Sequence, residues 1–343
     1  MPRRNPSKRL TTRQQVRIDS QREQRRQTLS EPIMDAGLFQ KETLSSEEGR
    51  VISHFGLNVE VEDGFGARFR CAVRETAGQE PVCGDRVQWS RSGNVMAQGV
   101  IWSILERKNA LRRPVAGGGV QTVAANIDRL MVTLTADKPN TGLLDRYLVA
   151  AEANAMEAVI VVNKTDLVDG EASMAAVFQP YVAMNYPICH VSARTGQGMV
   201  ELESLLRDRT SMFAGHSGVG KSSIVARWIP DGEKPAIGTI HERLGQGRHT
   251  TTVARMYPLP SGGRLIDSPG IREFGLIDVS RETLALYFRD VVSHAQPCRF
   301  ANCSHEHEPG CGVKEAVATG HIAQSRYDSL LRIFHSLPTG GWS

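Results

Sequence analysis

The amino-acid sequence predicts an α/β protein with three folded parts, and three observations lead to that prediction. Residues 127–228 alternate strand-sized apolar runs with helical runs, which is typical of a parallel sheet covered by helices. Residues 50–105 instead contain five short β-rich runs separated by glycine turns, which is typical of a small closed barrel. A compact group of cysteines and histidines at 298–311 predicts a metal-binding module.

The composition excludes several classes of protein. With 343 residues, 40% of them hydrophobic, the chain can build two or three cores. The longest apolar runs, such as 158–162, are far shorter than the ~20 residues of a membrane helix. No secretory signal pattern stands at the start, and three of the six cysteines lie at 298–311. We therefore expect a cytoplasmic protein without a disulfide framework.

The first 44 residues are predicted to form a flexible basic arm. Residues 1–30 hold nine Lys or Arg against two acidic residues, with almost no large apolar side chains. Such a segment cannot bury enough surface to offset its ordering entropy. A nucleic-acid-binding arm and a solubilising tail are equally compatible with it. An organelle transit peptide fits less well, because Glu and Gln replace the usual serines.

Residues 45–114 are predicted to form the barrel, with the oligonucleotide-binding (OB) type preferred over an SH3-like barrel that has the same signature. The predicted strands are 50–55, 58–62, 67–73, 86–89 and 100–105. Five arginines make this part basic, which suits phosphate contact or an ordinary solvated face. They are Arg68, Arg70, Arg74, Arg86 and Arg91. Cys71 and Cys83 have no local ligand partners and are predicted to be packing residues.

The α/β part is predicted to span residues 115–290 and to begin with a glycine-rich linker at 115–120. A strand at 127–134, a helix at 143–154 and a strand at 157–163 follow. The second strand ends in the sequence Asn-Lys-Thr-Asp at 163–166. Open α/β sheets bind ligands at the carboxyl ends of their strands, so this turn is a candidate site.

The chemistry of that turn suits guanine. The Asp166 carboxylate can accept two parallel hydrogen bonds from the N1–H and the exocyclic amine of guanine, whereas adenine has no such donor pair. Asn163 would hold the loop, and the stem of Lys164 would cover the ring. A second base-contact loop is predicted at Ser192 and Ala193, where the Ala193 N–H would reach the guanine oxygen.

Residues 215–222 match the phosphate-binding pattern G-x-x-x-x-G-K-[ST] in full. An apolar run at 209–214 precedes the loop and a helical run at 223–228 follows it, which is the context that the motif requires. Lys221 would place its charge on the β and γ phosphates, and Ser222 would ligate Mg²⁺. The predicted phosphate-contacting residues are Gly215, Ser217, Gly218, Val219, Gly220, Lys221, Ser222 and Ser223.

Two later segments are predicted to sense the γ phosphate. In the polar segment 247–252, Thr251 is preferred as the threonine linked to Mg²⁺, and Thr250 is the alternative. The apolar run before Asp267 leads into a D-x-x-G turn that ends at Gly270. Asp267 would hold the metal through water, and the Gly270 N–H would contact the γ phosphate.

The last part, residues 291–343, carries the spacing C-x₄-C-x-H-x₅-C. Three thiolates and one imidazole suit tetrahedral Zn²⁺, and because the protein fills every position the site should be structural. The predicted ligands are Cys298, Cys303, His305 and Cys311, with His307 as a competing ligand. The helical stretch 322–335 carries Arg326 and Arg332, which would contact RNA or form a solvated face.

These motifs resemble those of translation-factor-type GTPases in a changed order. The base-recognition elements (163–166 and 192–194) precede the phosphate loop, which precedes the switch segments. The chain therefore looks like a circularly permuted GTPase. With its barrel and zinc module it resembles the bacterial ribosome small-subunit-dependent GTPase A family over about residues 45–335, and the arm lies outside that resemblance.

The resemblance implies GTP/GDP, Mg²⁺ and one structural Zn²⁺ as cofactors. It also implies a monomer, without a membrane partner, that binds the small ribosomal subunit and its rRNA late in assembly and hydrolyses GTP under stimulation by that subunit. A glutamine commonly follows the D-x-x-G glycine and orients the attacking water, but this chain has Ile271 there. His249 is the predicted catalytic replacement, unless it only caps its loop.

Two other functions are compatible with the motifs. One is a nucleotide-dependent RNA-binding switch whose hydrolysis is incidental. The other is an ATP-using kinase built on the same phosphate loop, which the guanine preference expected from Asp166 argues against.

Overall fold

The computed structural model describes residues 46–55, 58–92, 97–115, 119–168, 171–229, 254–267 and 276–338. The predicted arm lies outside these residues, as do four predicted site residues, namely His249, Thr250, Thr251 and Gly270. None of the helices described is long and apolar enough to cross a membrane.

The first five strands form a closed barrel. They are β1 (Glu47–Phe55), β2 (Asn58–Glu62), β3 (Arg68–Val73), β4 (Arg86–Arg91) and β5 (Gly99–Ile104). Their order is β1-β2-β3-β5-β4, and β4 pairs back onto β1. β3 and β5 run parallel, and the other pairs are antiparallel. This arrangement confirms the predicted OB-type barrel.

Alternating apolar residues fill the barrel, as the period of a strand requires. Val61, Trp89 and Ile101 are fully buried there. Cys71 and Cys83 are buried as well, and burial raises the pKa of the Cys71 thiol to about 12. Both cysteines therefore act as packing residues, as predicted.

A hairpin follows the barrel where the sequence predicted a linker. β6 (Ala110–Pro114) and β7 (Val120–Ala125) pair antiparallel, so the predicted linker corresponds to the connection between two strands. A glycine-rich run is compatible with a linker or a turn, and the long-range contacts of its flanks decide which one forms. Here the Ala125 N–H donates to the Cys83 carbonyl (2.9 Å), which attaches the hairpin to the barrel.

A largely parallel sheet forms the centre of the molecule. Its strands are β8 (Arg129–Thr135), β9 (Glu157–Asn163), β10 (Ile188–His190), β11 (Thr210–Ala214), β12 (Arg255–Pro258) and β13 (Arg264–Asp267). The order is β10-β9-β8-β11-β13-β12, and β12 is antiparallel to β13. The predicted parallel sheet is confirmed. β12 was missed, because its four residues include arginine and proline and carry little strand signal.

The helices cover this sheet. They are α1 (Thr141–Ala153), α2 (Glu171–Ala183), α3 (Met199–Leu206) and α4 (Lys221–Val225). The Asn140 side chain caps α1 by accepting a hydrogen bond from the Leu143 N–H (3.0 Å). The apolar face of α1, including Leu144 and Leu148, is buried in the main core. The sequence predicted the ends of α1 to within two residues.

The described C-terminal residues, 276–338, contain a 3₁₀ turn (Leu284–Tyr287) and three helices. These are α5 (Arg289–Ala295), α6 (Gly312–Ala318) and α7 (Gln324–Ser336). α7 packs against α1. Its helical period places Leu330 and Ile333 in the core together with Arg326.

The predicted exposure of Arg326 to RNA or solvent is wrong. This side chain is 1% exposed, and its guanidinium donates to both carboxylate oxygens of Asp290 (2.9 Å each) and to Asp145 on α1. It also lies over the ring of Phe288, with 4.6 Å between Cζ and the centroid. An arginine can be buried this way because two carboxylates lie beside it and compensate its charge.

The barrel joins the central sheet directly. Ser53 of β1 pairs with Arg255 of β12, so the barrel strands and the parallel strands belong to one eleven-stranded sheet. Glu62, which is 6% exposed at the end of β2, accepts a hydrogen bond from Arg264 of β13 (2.9 Å). The strand that leads to Asp267 is therefore fastened to the barrel.

Candidate functional site

The candidate nucleotide site lies at the carboxyl edge of the parallel sheet. β8, β9 and β11 run in the same direction, so their ends bring the 163–166 turn and the phosphate loop to one edge. β10 ends beside β9 and brings in the 192–194 loop. The structure thus collects the sequence elements predicted to bind base and phosphate, although they lie far apart in the chain.

The phosphate loop needs glycine at several positions. Gly215, Gly218 and Gly220 have positive φ angles of 141°, 85° and 93°. A Cβ on Gly220 would lie 2.2 Å from the Asn163 side-chain nitrogen, and one on Gly215 would lie 2.3 Å from a backbone carbonyl oxygen. Substitution at either position would push the loop away from its neighbours.

Lys221 curls back over this loop. Its Nζ donates hydrogen bonds to the carbonyl oxygens of Gly215 (2.5 Å) and His216 (2.9 Å). The ammonium group is therefore held above the loop, where the phosphate oxygens of a nucleotide would bind. Ser222 and Ser223 follow it and are exposed.

Asp267 ends β13 on the same side of the sheet. Burial raises the pKa of its carboxyl above the ordinary value, and the charge of Lys221 opposes that shift. β13 is parallel to β11, the strand that leads into the phosphate loop, so Asp267 lies at the same edge of the sheet as Lys221. Together with the Ser222 hydroxyl, Asp267 supplies oxygen ligands of the kind that Mg²⁺ takes.

Asn163 joins the base loop to the phosphate loop. Its buried side-chain nitrogen donates to the Val219 carbonyl (2.8 Å), and its oxygen accepts a hydrogen bond from the Ala193 N–H (3.1 Å). Lys164 adopts a left-handed conformation, with φ at 63°. Asn163 therefore links its own turn to both the phosphate loop and the 192–194 loop.

Asp166 lies between two donors of the second loop. The Ser192 hydroxyl donates to Oδ1 (2.5 Å), and Arg194 Nε donates to Oδ2 (2.8 Å). The Ser192 hydrogen bond, followed by that of Arg194, lowers the pKa of this carboxyl below its ordinary value. The group is therefore ionised at neutral pH, as an acceptor of two guanine hydrogen bonds must be.

Two arginines at this site were missed by sequence reasoning. Arg194 contacts Asp166, and Arg227, which follows α4, donates from Nη1 to the Ala193 carbonyl (2.9 Å). Arg194 belongs to the predicted loop at 192–194, but no contact was predicted for its side chain, and Arg227 belongs to none of the predicted motifs. Only the folding of distant segments onto one edge shows their contacts with the base loop.

The four predicted zinc ligands come together in the C-terminal part. Their ligand atoms all lie within 4.8 Å of one another, and they belong to Cys298, Cys303, His305 and Cys311. His305 Nδ1 lies 3.6 Å from the Cys298 sulfur and 3.5 Å from the Cys311 sulfur. Those two sulfurs are 4.0 Å apart. Tetrahedral Zn²⁺ sets such distances at about 3.5 Å and about 3.8 Å, so the residues fit this ion.

His307 does not compete for this site. Its side chain is 84% exposed and contacts Glu306 at 3.3 Å. His305 instead points inward, with a left-handed backbone (φ 64°) and a carbonyl that accepts a hydrogen bond from the Tyr327 hydroxyl (2.7 Å). The zinc loop is thereby fixed to α7.

Comparison with known proteins gives the same picture. The family described as RsgA GTPase matches residues 104–277. The small ribosomal subunit biogenesis GTPase RsgA of Azotobacter vinelandii is 42% identical over 345 residues, which cover 96% of this chain and 97% of the relative. Its namesake in Yersinia enterocolitica is 38% identical over 341 residues, covering 96% of this chain and 95% of the relative.

Two solved structures are similar as well. YjeQ from Thermotoga maritima has a TM-score of 0.70 and 34% identity, over 85% of this chain and 98% of that one. YloQ, titled a circularly permuted GTPase, has a TM-score of 0.69 and 26% identity, over 87% of this chain and 97% of that one. With more than a third of its residues identical to the sequence relatives along nearly its entire length, this chain belongs to the RsgA family and is a circularly permuted GTPase.

Proposed function

We propose that this GTPase binds the small ribosomal subunit, acts late in its maturation and hydrolyses GTP to GDP and phosphate under stimulation by the subunit. The convergence of Asn163, Asp166 and Lys221 at one sheet edge carries the nucleotide half of the proposal. The subunit half is supported by relatives that are named small ribosomal subunit biogenesis GTPases.

In the proposed complex, Asp166 and the Ala193 N–H read guanine, and Asn163 holds the two loops together. Lys221 and the backbone of the phosphate loop bind the β and γ phosphates. Ser222 and, through water, Asp267 would hold Mg²⁺, which would neutralise charge on the phosphates. His249, Thr251 and Gly270 keep their predicted roles, namely positioning water, ligating Mg²⁺ and contacting the γ phosphate, with Thr250 as the alternative ligand.

The zinc ion is proposed to be structural. The protein supplies all four ligands of a tetrahedral site, which leaves no open position for a substrate. Tyr327 ties the loop to α7, so the ion would stabilise the surface that this module presents. One Zn²⁺ per chain is expected.

The barrel is proposed to contact rRNA through those of its arginines that are not engaged by acidic side chains. Arg86 and Arg91 are engaged by Glu48 and Asp63, at 2.8 Å and 3.0 Å. Arg70 is exposed, and within the described part of the chain no acidic group lies at ion-pair distance from it. Arg74 stacks on Trp102, with 4.6 Å between its Cζ and the ring centroid. Trp102 is partly exposed, and an arginine beside such a ring suits an RNA backbone and its bases.

We further propose that the chain works as a cytoplasmic monomer, without a membrane partner. Its proposed parts are the arm (1–44), the barrel (45–114), the GTPase domain (115–290) and the zinc module (291–343).

The test is GTP turnover measured with purified small subunits, with large subunits at equal concentration as the control. Stimulation by the small subunit alone is expected. Equal rates under both conditions would contradict the proposal. GTP-dependent binding to the subunit without stimulation would indicate the RNA-binding switch instead.

A further inference from the structure

In the structure Asp166 already binds Arg194, a residue of the 192–194 loop whose side chain has no predicted role in reading guanine. Arg194 Nε donates to Oδ2 at 2.8 Å, and Nη2 lies 2.8 Å from the same oxygen. The Arg194 side chain is 75% exposed, whereas that of Asp166 is 11% exposed. The guanidinium therefore covers the carboxylate from the solvent side.

The contact with Arg194 matters because Asp166 has a limited number of hydrogen-bond acceptor positions. A carboxylate offers about four lone-pair positions, two on each oxygen. Ser192 uses one on Oδ1 and leaves one for a ligand, but the two Arg194 nitrogens both lie against Oδ2. A base that binds both oxygens therefore requires Arg194 to give up at least part of its contact with Oδ2.

We propose that Arg194 is a positioning residue that competes with guanine for Asp166. Without nucleotide it holds the carboxylate beside Ser192, and it swings into solvent when the base binds. The inference rests on the proposed reading of guanine by Asp166. It makes the affinity for guanine nucleotides lower than the base contacts alone would give, and exchange correspondingly easier.

The size of the expected change in nucleotide affinity follows from the solvent exposure of the Arg194 side chain. An ion pair open to solvent is weak, so removing it should tighten binding by only about 1.5- to 5-fold. Salt provides a second signature, because the screening length falls from about 10 Å at 0.1 M to about 3 Å at 1 M. The difference in GDP affinity between the unmodified protein and a variant without Arg194 should therefore become smaller as the salt concentration rises.

The experiment compares the full-length protein with Arg194→Ala, using fluorescent GDP in titrations at 0.1 M and 1 M salt. Tighter binding by Arg194→Ala at 0.1 M, with the ratio of dissociation constants approaching one at 1 M, is expected. Equal or weaker binding at 0.1 M, or a ratio that does not change with salt, would overturn the inference.

Two further variants keep the result interpretable. Arg227→Ala is the matched control, because Arg227 holds the same loop through the Ala193 carbonyl. It removes a positive charge that contacts the same loop without freeing Asp166, so it should not tighten GDP binding. Tightening by both variants would overturn a specific role for Arg194. Asp166→Asn tests the underlying function. If it retains the preference for guanine over xanthine, the proposed reading of guanine fails; if it loses that preference while Arg194→Ala binds normally, only this inference fails.

Discussion

At the scale of single residues, the ammonium group of Lys221 donates hydrogen bonds to two carbonyl oxygens of its own loop. A triphosphate would offer the ammonium group stronger, charged acceptors at the same place. The lysine is therefore placed for phosphate before any nucleotide arrives.

Lys221→Ala should abolish productive GTP binding, because the β and γ phosphates lose their main side-chain counterion. Hydrogen bonds between charged groups predict a fall in affinity of at least about 10- to 100-fold. Calorimetric titration with GTP checks this. Lys108→Ala is the control, since Lys108 pairs with Asp128 near the amino end of β8, at the opposite edge of the sheet. Similar GTP affinities for the two variants would refute the assignment of Lys221.

Asp166→Asn should move base preference from guanine toward xanthine, because an amide presents a donor where the carboxylate accepts two hydrogen bonds. The measurement is the ratio of the GTP and xanthosine triphosphate affinities, and a ratio that does not move would show that Asp166 does not read the base.

The same carboxylate predicts how base recognition responds to pH. Since hydrogen bonds from Ser192 and Arg194 lower its pKa, Asp166 stays ionised as the pH falls from 8 to 5. The preference of the unmodified protein for guanine should therefore be constant over that range. Nucleotide competition at several pH values checks this, and a preference that is lost at pH 5 would argue for a carboxyl with a raised pKa.

At the scale of elements, the junction of α7 with α1 depends on a buried charge. Arg326 on α7 binds Asp145 on α1 and Asp290 on α5. Burial raises the pKa of Asp145, whereas the positive charge of Arg326 lowers it and so favours the ionised form. Removing the arginine would leave that carboxyl buried without its cation.

Arg326→Ala should lower the free energy of unfolding by about 3–5 kcal/mol, the usual cost of breaking a buried ion pair from one side. Arg332→Ala is the matched control, because Arg332 lies on the same helix but is exposed. Denaturant titration followed by circular dichroism measures both. Equal midpoints for the two variants would mean that the buried contacts of Arg326 do not stabilise the fold.

The zinc loop gives a second prediction for an element. Cys303→Ser should lower the zinc content below one ion per chain and loosen the C-terminal module. GTP binding should be retained, because the ligands lie outside the parallel sheet. His307→Ala should keep its zinc, since that side chain points into solvent. Elemental analysis decides both points, and full zinc in Cys303→Ser would exclude Cys303 as a ligand.

At the scale of the whole molecule, the nucleotide site is connected to both flanking parts. β13 leads to Asp267 and is fastened to the barrel through Arg264 and Glu62. After residues 268–275, the chain enters the main core at Leu276 and Val279, where α1 and α7 also pack. Along the chain, the predicted γ-phosphate turn is therefore preceded by an anchor to the barrel and followed by an anchor to the C-terminal helices.

His249→Ala should bind GTP and the small subunit almost normally, but lose stimulated turnover and remain bound. We propose that the GTP-bound state favours binding to the subunit, so that release requires hydrolysis. Single-turnover hydrolysis and sedimentation with subunits measure the two effects. Turnover at the stimulated rate of the unmodified protein would show that His249 is not catalytic.

Local patterns could be predicted from the amino-acid sequence alone. Five barrel strands, the phosphate loop, the 163–166 turn and the zinc ligands could all be predicted, because each depends on residues close together in the chain. The permuted order of the motifs was also visible, since order requires no knowledge of contacts.

Contacts between residues far apart in the chain could not be predicted, because they depend on the folded arrangement. The hairpin at 110–125 and the strand β12 depend on pairing with segments that local pattern does not specify. Arg194 could not be assigned to Asp166, because that contact requires β9 and β10 to end side by side. Arg326 shows the same limit most clearly, since an arginine at this position of a helix is ordinarily solvated. Its burial became favourable only when folding brought Asp145, 181 residues away in the chain, to its guanidinium.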